Sequence, residues 1–195
     1  MMTAILLAGA YIAGSVNFSI LIFRMLGRDD PRDHFSGTAG TTNVYRQAGL
    51  FWAAVILILD TVRAFAVGAV ALSFLDPPLV PWIGLGLVAG NRYPCFHGFQ
   101  GGKGVASYVG FTAALSPVFS ALSCIFWVLA YSVFRLPFAA SFFMVLTLAA
   151  GTIIAYNHEP ISVFGVLSTA AFICYNHKDN VLSLMGKRDK NDDER

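Results

Sequence analysis

Charge is what this sequence is short of. Only 12% of its 195 residues are Asp, Glu, Lys or Arg, about half the share of an ordinary soluble domain. Hydrophobic residues make up 56% and the mean hydropathy is +0.65, more apolar surface than a water-facing fold of this length can hide. The shortage excludes a soluble domain and predicts an all-α, polytopic integral membrane protein built as one membrane domain. Cysteine is scarce too. Cys95, Cys124 and Cys174 stand alone, with no C-x-x-C spacing, and read as small apolar fillers. No His, Cys, Asp or Glu cluster has metal-ligand spacing, so neither a metal nor a cofactor is expected. There is no Gly-x-Ser-x-Gly elbow and no Ser-His-Asp order, which argues against a hydrolase triad. The glycine–lysine loop at 101–104 lacks the spacing of nucleotide P-loops, so ATP binding is not indicated; no nucleic-acid partner is expected either. The N-terminus has no basic n-region, so a cleaved signal peptide is not expected and the first span should stay, with its N-terminus outside.

What is present is a series of apolar runs. They predict about seven spans at 3–26, 50–75, 79–90, 105–115, 117–134, 138–156 and 161–175, with a cytoplasmic tail at 176–195. Ser116-Pro117 divides the fourth run from the fifth, because proline disfavours helix in the residue before it. Of the 13 lysines and arginines, all but Arg63 fall in or at the edge of the 27–49 loop, the 91–104 loop, the turn at 135–137 or the tail. That is the positive-inside pattern, with the C-terminus cytoplasmic. The short third and fourth runs fit tilted helices or half-spans that leave room for the loop between them.

The polar residues concentrate on that face. The stretch 90–107 is glycine-dense, and Gly101, Gly102 and Gly104 surround Lys103. Without a Cβ the backbone can curl until several N–H groups converge on an anion, and the lysine adds a point charge suited to phosphate. The 36–46 segment carries Ser36, Thr42, Asn43 and Arg46 among small residues. Hydroxyls and a guanidinium again suit an oxyanion; a solvated loop is the plainer alternative. Asp60 and Arg63 lie three apart inside a span, close enough to pair, either as a structural ion pair or with the arginine reaching towards a phosphate. His177 and Asn180 share a face if the last helix continues, and the imidazole could move a proton near neutral pH. Gly14-Ser15-Val16-Asn17 interrupts the first run, either for close helix packing or because it borders a polar site.

Taken in order, these motifs resemble those of the bacterial acyl-phosphate:glycerol-3-phosphate acyltransferases. The match runs from Ser36-Gly37…Gly40-Thr41-Thr42-Asn43-Val44-Tyr45-Arg46 through Pro94-Cys95-Phe96…Gly101-Gly102-Lys103-Gly104-Val105-Ala106-Ser107 to His177-Lys178-Asp179-Asn180. The Gly14-Ser15 and Asp60…Arg63 positions also fall on family motifs. The resemblance implies seven spans and an active site facing the cytoplasm of a bacterial inner membrane. It implies transfer of a fatty acyl group from acyl phosphate to the 1-hydroxyl of glycerol 3-phosphate, giving lysophosphatidic acid and phosphate for phospholipid synthesis. It implies catalytic roles for Ser36, Arg46, His177 and Asn180. Substrate binding would fall to Thr42, Asn43, Arg63, Gly101, Gly102, Lys103 and Gly104, with membrane lipid as the medium.

Several positions depart from the family pattern. Phe35 stands where a glycine is usual, Thr38-Ala39 where Asn-Pro is usual, and Asn91 where a histidine is common. Arg63 and Gln100 replace lysines, and 186–189 matches the usual end of the third motif poorly. Two other readings therefore stand beside the enzyme: a catalytically weak paralogue that binds phosphate-headed lipids, and an organophosphate transporter. Ligand binding without turnover would mark the first. Flux in proteoliposomes would mark the second, although the polar motifs gather at one face rather than at the midplane where transporter sites lie.

Overall fold

The computed structural model describes residues 1–192. Among them there is no strand. The helices run α1 Met2–Ser15, α2 Phe18–Met25, α3 Thr41–Phe74, α4 Val80–Arg92, α5 Val105–Leu115, α6 Pro117–Phe134, α7 Pro137–Ala155, α8 Pro160–Tyr175 and α9 Lys178–Asp192. Proline stands in the first turn of α4, α6, α7 and α8, where its missing N–H costs no intrahelical bond. Four stretches are long and apolar enough to cross a membrane: Met2–Met25, Thr41–Phe74, Pro117–Phe134 and Pro137–Ala155. A lipid-facing helix satisfies its own backbone, so such segments need no polar surroundings.

Two helices are interrupted, and both interruptions shape the site. The first apolar run is two helices rather than one. Val16 leaves helical geometry at ψ 97°, and the side chain of Asn17 restarts the chain by accepting the N–H of Ile20. The 27–49 segment is not all loop. The stretch 41–48 is already helical, and Gly49, at φ 80°, breaks it from the long membrane segment that follows. That φ lies in the left-handed region where only glycine is at ease.

Helices α1 and α4 pack by a reciprocal exchange of glycines. Gly14 lies against the carbonyl of Leu87, and Gly90 against the carbonyl of Tyr11; a methyl group at either place would overlap the opposing backbone. Phe111 and Ile83 fill the space between α1, α3, α4 and α5, while Leu148, Val145 and Ile173 join α7 and α8 to α4 and α5. Phe23, Val44 and Ile56 seal α2 against α3. Outward, α6 presents Val118, Ile125, Val128 and Val133 to the surroundings, as a helix facing lipid does. The cysteines correct one expectation: all three are exposed, at outward-facing positions rather than as fillers inside the bundle.

The short helices position the loop between them. α4 has 13 residues and α5 has 11, about 20 and 16 Å at 1.5 Å per residue, against a hydrocarbon layer of about 30 Å. The last part of the connection, 101–104, therefore tucks in among longer neighbours, and Gly101, Gly102 and Gly104 are all buried.

Candidate active site

Buried glycines need hydrogen-bond partners, and here the partners are other parts of the site. The N–H of Gly101 donates to the carbonyl of Arg92 and that of Gly102 to Asn91, both at 3.0 Å. The carbonyl of Gly101 accepts the N–H of Ala39 at 3.2 Å, and the carbonyl of Ala39 accepts Asn17 Nδ2 at 3.3 Å. The break at Val16–Asn17 therefore does border the polar site, because Asn17 both caps α2 and holds the 36–40 segment against the glycine loop. The loop leaves no space for side chains. A Cβ on Gly102 would stand 2.8 Å from Asn91 Oδ1 and 2.9 Å from the Ala39 carbonyl. Gly104 adopts φ 89° as it caps α5. Gly102→Ala is expected to part the two loops and lower kcat/KM by about tenfold to a hundredfold, with about 1–3 kcal/mol lost in stability. Parallel turnover and thermal-melting assays check this.

The loops enclose one cleft of about 780 Å³, a size that suits a small-molecule ligand. Ser36, Thr42, Asn43, Arg46, Gly102, Lys103, Gly104, His177 and Asn180 all line it. Ser36 and Asn180, 144 residues apart in the chain, thus meet on one surface. Thr41 and Thr42 open a helix there, so unpaired backbone N–H groups add to the positive field. Ser36 Oγ lies 3.0 Å from Thr38 Oγ1.

Two predicted site residues are elsewhere. Gly101 is behind the lining, engaged with Arg92 and Ala39. Arg63 is spent inside the protein. It pairs with Asp60 at 2.9 Å, donates to Ser107 Oγ at 3.0 Å and binds the carbonyl of Val16, so it pins the α1–α2 break to α3 and α5. Asn43 lines the cleft, but its amide donates to the carbonyls of Pro31, His34 and Thr38 at 2.6, 3.1 and 2.9 Å. It folds the 31–38 segment over the end of α3.

Lys103 and His177 have altered protonation. Burial, and then Arg92, push the Lys103 ammonium down to about 8; Asp179 opposes this and Arg46 adds to it. Cations gathered in a partly buried place repel one another unless an anion joins them, so the cluster is arranged to receive one. Lys103 Nζ donates to Asn180 Oδ1. The Lys103 carbonyl accepts Asn176 Nδ2 at 3.3 Å, a contact that no motif reading had singled out. A lone asparagine closing the last apolar run was its only trace. Burial pushes His177 down to about 4, with Lys103 and Arg92 contributing and the Ile173 carbonyl opposing. The ring is neutral near pH 7. Nδ1 lies 2.8 Å from the Ile173 carbonyl, which can only accept, so Nδ1 carries the proton and Nε2 the lone pair.

Below the polar mouth the cleft turns apolar. Leu50, Ala53 and Leu57 of α3 face Trp127 and Tyr131 of α6 and Phe138 of α7 across it. Leu50 is 72% and Leu57 43% exposed, so the groove opens sideways through the wall of the helical body. Among the described residues no three His, Cys, Asp or Glu side chains converge to hold a metal ion.

A family model described as "Glycerol-3-phosphate acyltransferase" matches residues 4–187. The chain belongs to the glycerol-3-phosphate acyltransferase family. It is 34% identical to the glycerol-3-phosphate acyltransferase of Thiobacillus denitrificans, over 95% of this chain and 94% of that one. It is 31% identical to the Colwellia psychrerythraea enzyme of the same name, over 95% and 93%. Among solved structures it resembles PlsY, an integral membrane glycerol 3-phosphate acyltransferase, in its glycerol 3-phosphate form, with a TM-score of 0.88, 28% identity and coverage of 96% of this chain and 94% of that one. The lysophosphatidic acid form of PlsY superposes with a TM-score of 0.86. The family member described here is thus an all-helical, membrane-spanning acyltransferase with a cationic mouth above an apolar groove.

Proposed function

We propose that this acyltransferase moves a fatty acyl group from acyl phosphate to the 1-hydroxyl of glycerol 3-phosphate at the cytoplasmic face of a bacterial inner membrane. One observation carries the reading: a single cleft joins a phosphate-suited mouth, built on Lys103, Arg46 and the start of α3, to an apolar groove that opens sideways. Both substrates carry phosphate, and one carries a long hydrocarbon chain. The positive-inside distribution of lysine and arginine supports the cytoplasmic orientation.

The chemistry asks little of the protein. Acyl phosphate is a mixed anhydride whose leaving group is already good. The glycerol hydroxyl attacks the acyl carbon, the new ester C–O bond forms and the C–O bond to phosphate breaks. The hydroxyl proton leaves on the departing phosphate as hydrogen phosphate. His177 suits an orienting role in this scheme. A ring held neutral down to about pH 4 is a weak base, but its Nε2 lone pair can accept the hydroxyl hydrogen bond and aim the nucleophile. Lys103, Arg46 and Ser36 neutralise and position the phosphates, so orientation and charge stabilisation supply the rate.

Purified protein in detergent, given palmitoyl phosphate and glycerol 3-phosphate, is expected to release lysophosphatidic acid and phosphate without coenzyme A. Absence of turnover with every acyl phosphate tried would sink the reading. The pH profile follows from Lys103. Its charged form binds phosphate and predominates below about pH 8, while a phosphate monoester is dianionic above about 6. The free-enzyme kcat/KM for glycerol 3-phosphate should therefore hold near neutrality and fall as pH rises through about 8. His177 should contribute no acid limb until far lower pH.

A further inference from the structure

A second hollow, of about 370 Å³, is bordered by Phe96 and His97 of the 93–104 connection and shares no lining residue with the cleft. Arg24, Arg28 and Arg32 line it with Asp30, His97 and Phe96, and none of these borders the catalytic cleft. One ion pair builds its wall. Arg32 grips Asp30 through Nη2–Oδ2 at 2.6 Å and Nε–Oδ1 at 2.8 Å. Its remaining Nη1 donates to the carbonyls of His97 at 2.7 Å and Gln100 at 2.9 Å. That pair is neutral and fixes the loop.

Arg24 and Arg28 are left, four residues apart at the end of α2 and both exposed. Arg28 gives one N–H to the Gln47 carbonyl at 3.3 Å; neither faces a carboxylate within ion-pair distance among the described residues. Burial, then Arg32, with Arg24 adding to both, holds His97 below its usual range against the opposing pull of Asp30, so the imidazole stays neutral beside the arginines. The hollow thus carries two guanidiniums with no ion-pair partner among the described residues, Asp29 and Asp33 being absent from its lining, and their chemistry is that of a phosphate receptor.

The place identifies the source of the phosphate. Arg24 sits in the last turn of a helix that continues the first apolar run. Beside it Met25 is 85% and Phe96 60% exposed. Apolar surface gives way to cationic surface at this point, the level at which lipid headgroups lie. We infer that Arg24 and Arg28 form a headgroup site for an anionic phospholipid, separate from the catalytic cleft.

The full chain, reconstituted in phosphatidylcholine containing phosphatidylglycerol and then examined by native mass spectrometry, tests the site. The wild type is expected to retain phosphatidylglycerol in preference to phosphatidylcholine. Arg24→Gln with Arg28→Gln should lower that preference by about tenfold to thirtyfold, whereas Arg24→Lys with Arg28→Lys should keep most of it. Lys103→Ala should leave it unchanged, since the anion is not in the cleft. Three results would overturn the inference: no preference in the wild type, a preference that survives in the glutamine variant, or displacement of the lipid by inorganic phosphate, which would make this a site for the free anion.

Discussion

Lys103→Ala is expected to lower kcat/KM for glycerol 3-phosphate by about 10²- to 10³-fold, the range for removing a fixed charge-stabilising donor from an active site. The geometry separates this loss from a folding defect. Lys103 is held by one side-chain contact, to Asn180, and its backbone carbonyl, bound by Asn176, survives the substitution. Its ammonium is a net burden to the empty protein, because burial and Arg92 both oppose its charge. The variant should therefore melt at the wild-type temperature or slightly above it while turnover collapses. A group that stabilises a fold and a group that binds a ligand have opposite signs here. Unchanged kcat/KM in the alanine variant would remove Lys103 from the phosphate site.

Arg63→Ala should be the most destabilising of the single changes considered, at about 3–5 kcal/mol, because it leaves the buried carboxylate of Asp60 without its partner. It also frees the Val16 carbonyl and Ser107 Oγ, both satisfied by the guanidinium. Chemical unfolding in detergent gives the stability. A second variant divides the ion pair from the other bonds: Asp60→Leu with Arg63→Met removes both charges and should recover a large part of the loss. If Arg63 instead contacts substrate, Arg63→Ala should raise KM in a protein whose unfolding is unchanged, an outcome that would reverse the reading of the pin.

The contrast between these two cations shows what was legible in the residues. Lys103 was readable because glycines on both sides of it leave few structural uses for a lysine in a membrane protein. Arg63 was readable only as part of a pair with Asp60. Its third partner is a backbone carbonyl 47 residues away, available only because the first apolar run breaks at Val16, and backbone carbonyls leave no mark in a pattern of side chains. The helical stretch 41–48 leaves little mark in the sequence for a similar reason. Its first turn is threonine, threonine and asparagine, residues that compete locally with helix. It forms because Val44 is fully buried and the Asn43 amide holds three carbonyls of the preceding segment. The apolar runs and the Ser116-Pro117 break were plain because length and proline act locally.

Phe35 shows the reverse traffic, from structure back to sequence. It adopts φ 54°, in the left-handed region that costs most residues about 1–2 kcal/mol. A glycine, which the family resemblance implies at that place, would adopt it without such a cost. This chain instead places a phenylalanine in that conformation, immediately before Ser36.

The sideways opening of the groove past Leu50 and Leu57 changes what concentration means for this enzyme. In the proposed reaction an acyl phosphate donor dissolved in the bilayer would arrive by diffusion in two dimensions, with its chemical potential set by its mole fraction in the bilayer, not by its amount per volume of buffer. Adding inert lipid at constant acyl phosphate should slow the reaction by surface dilution, while the water-soluble acceptor, entering at the polar mouth, continues to obey ordinary bulk kinetics.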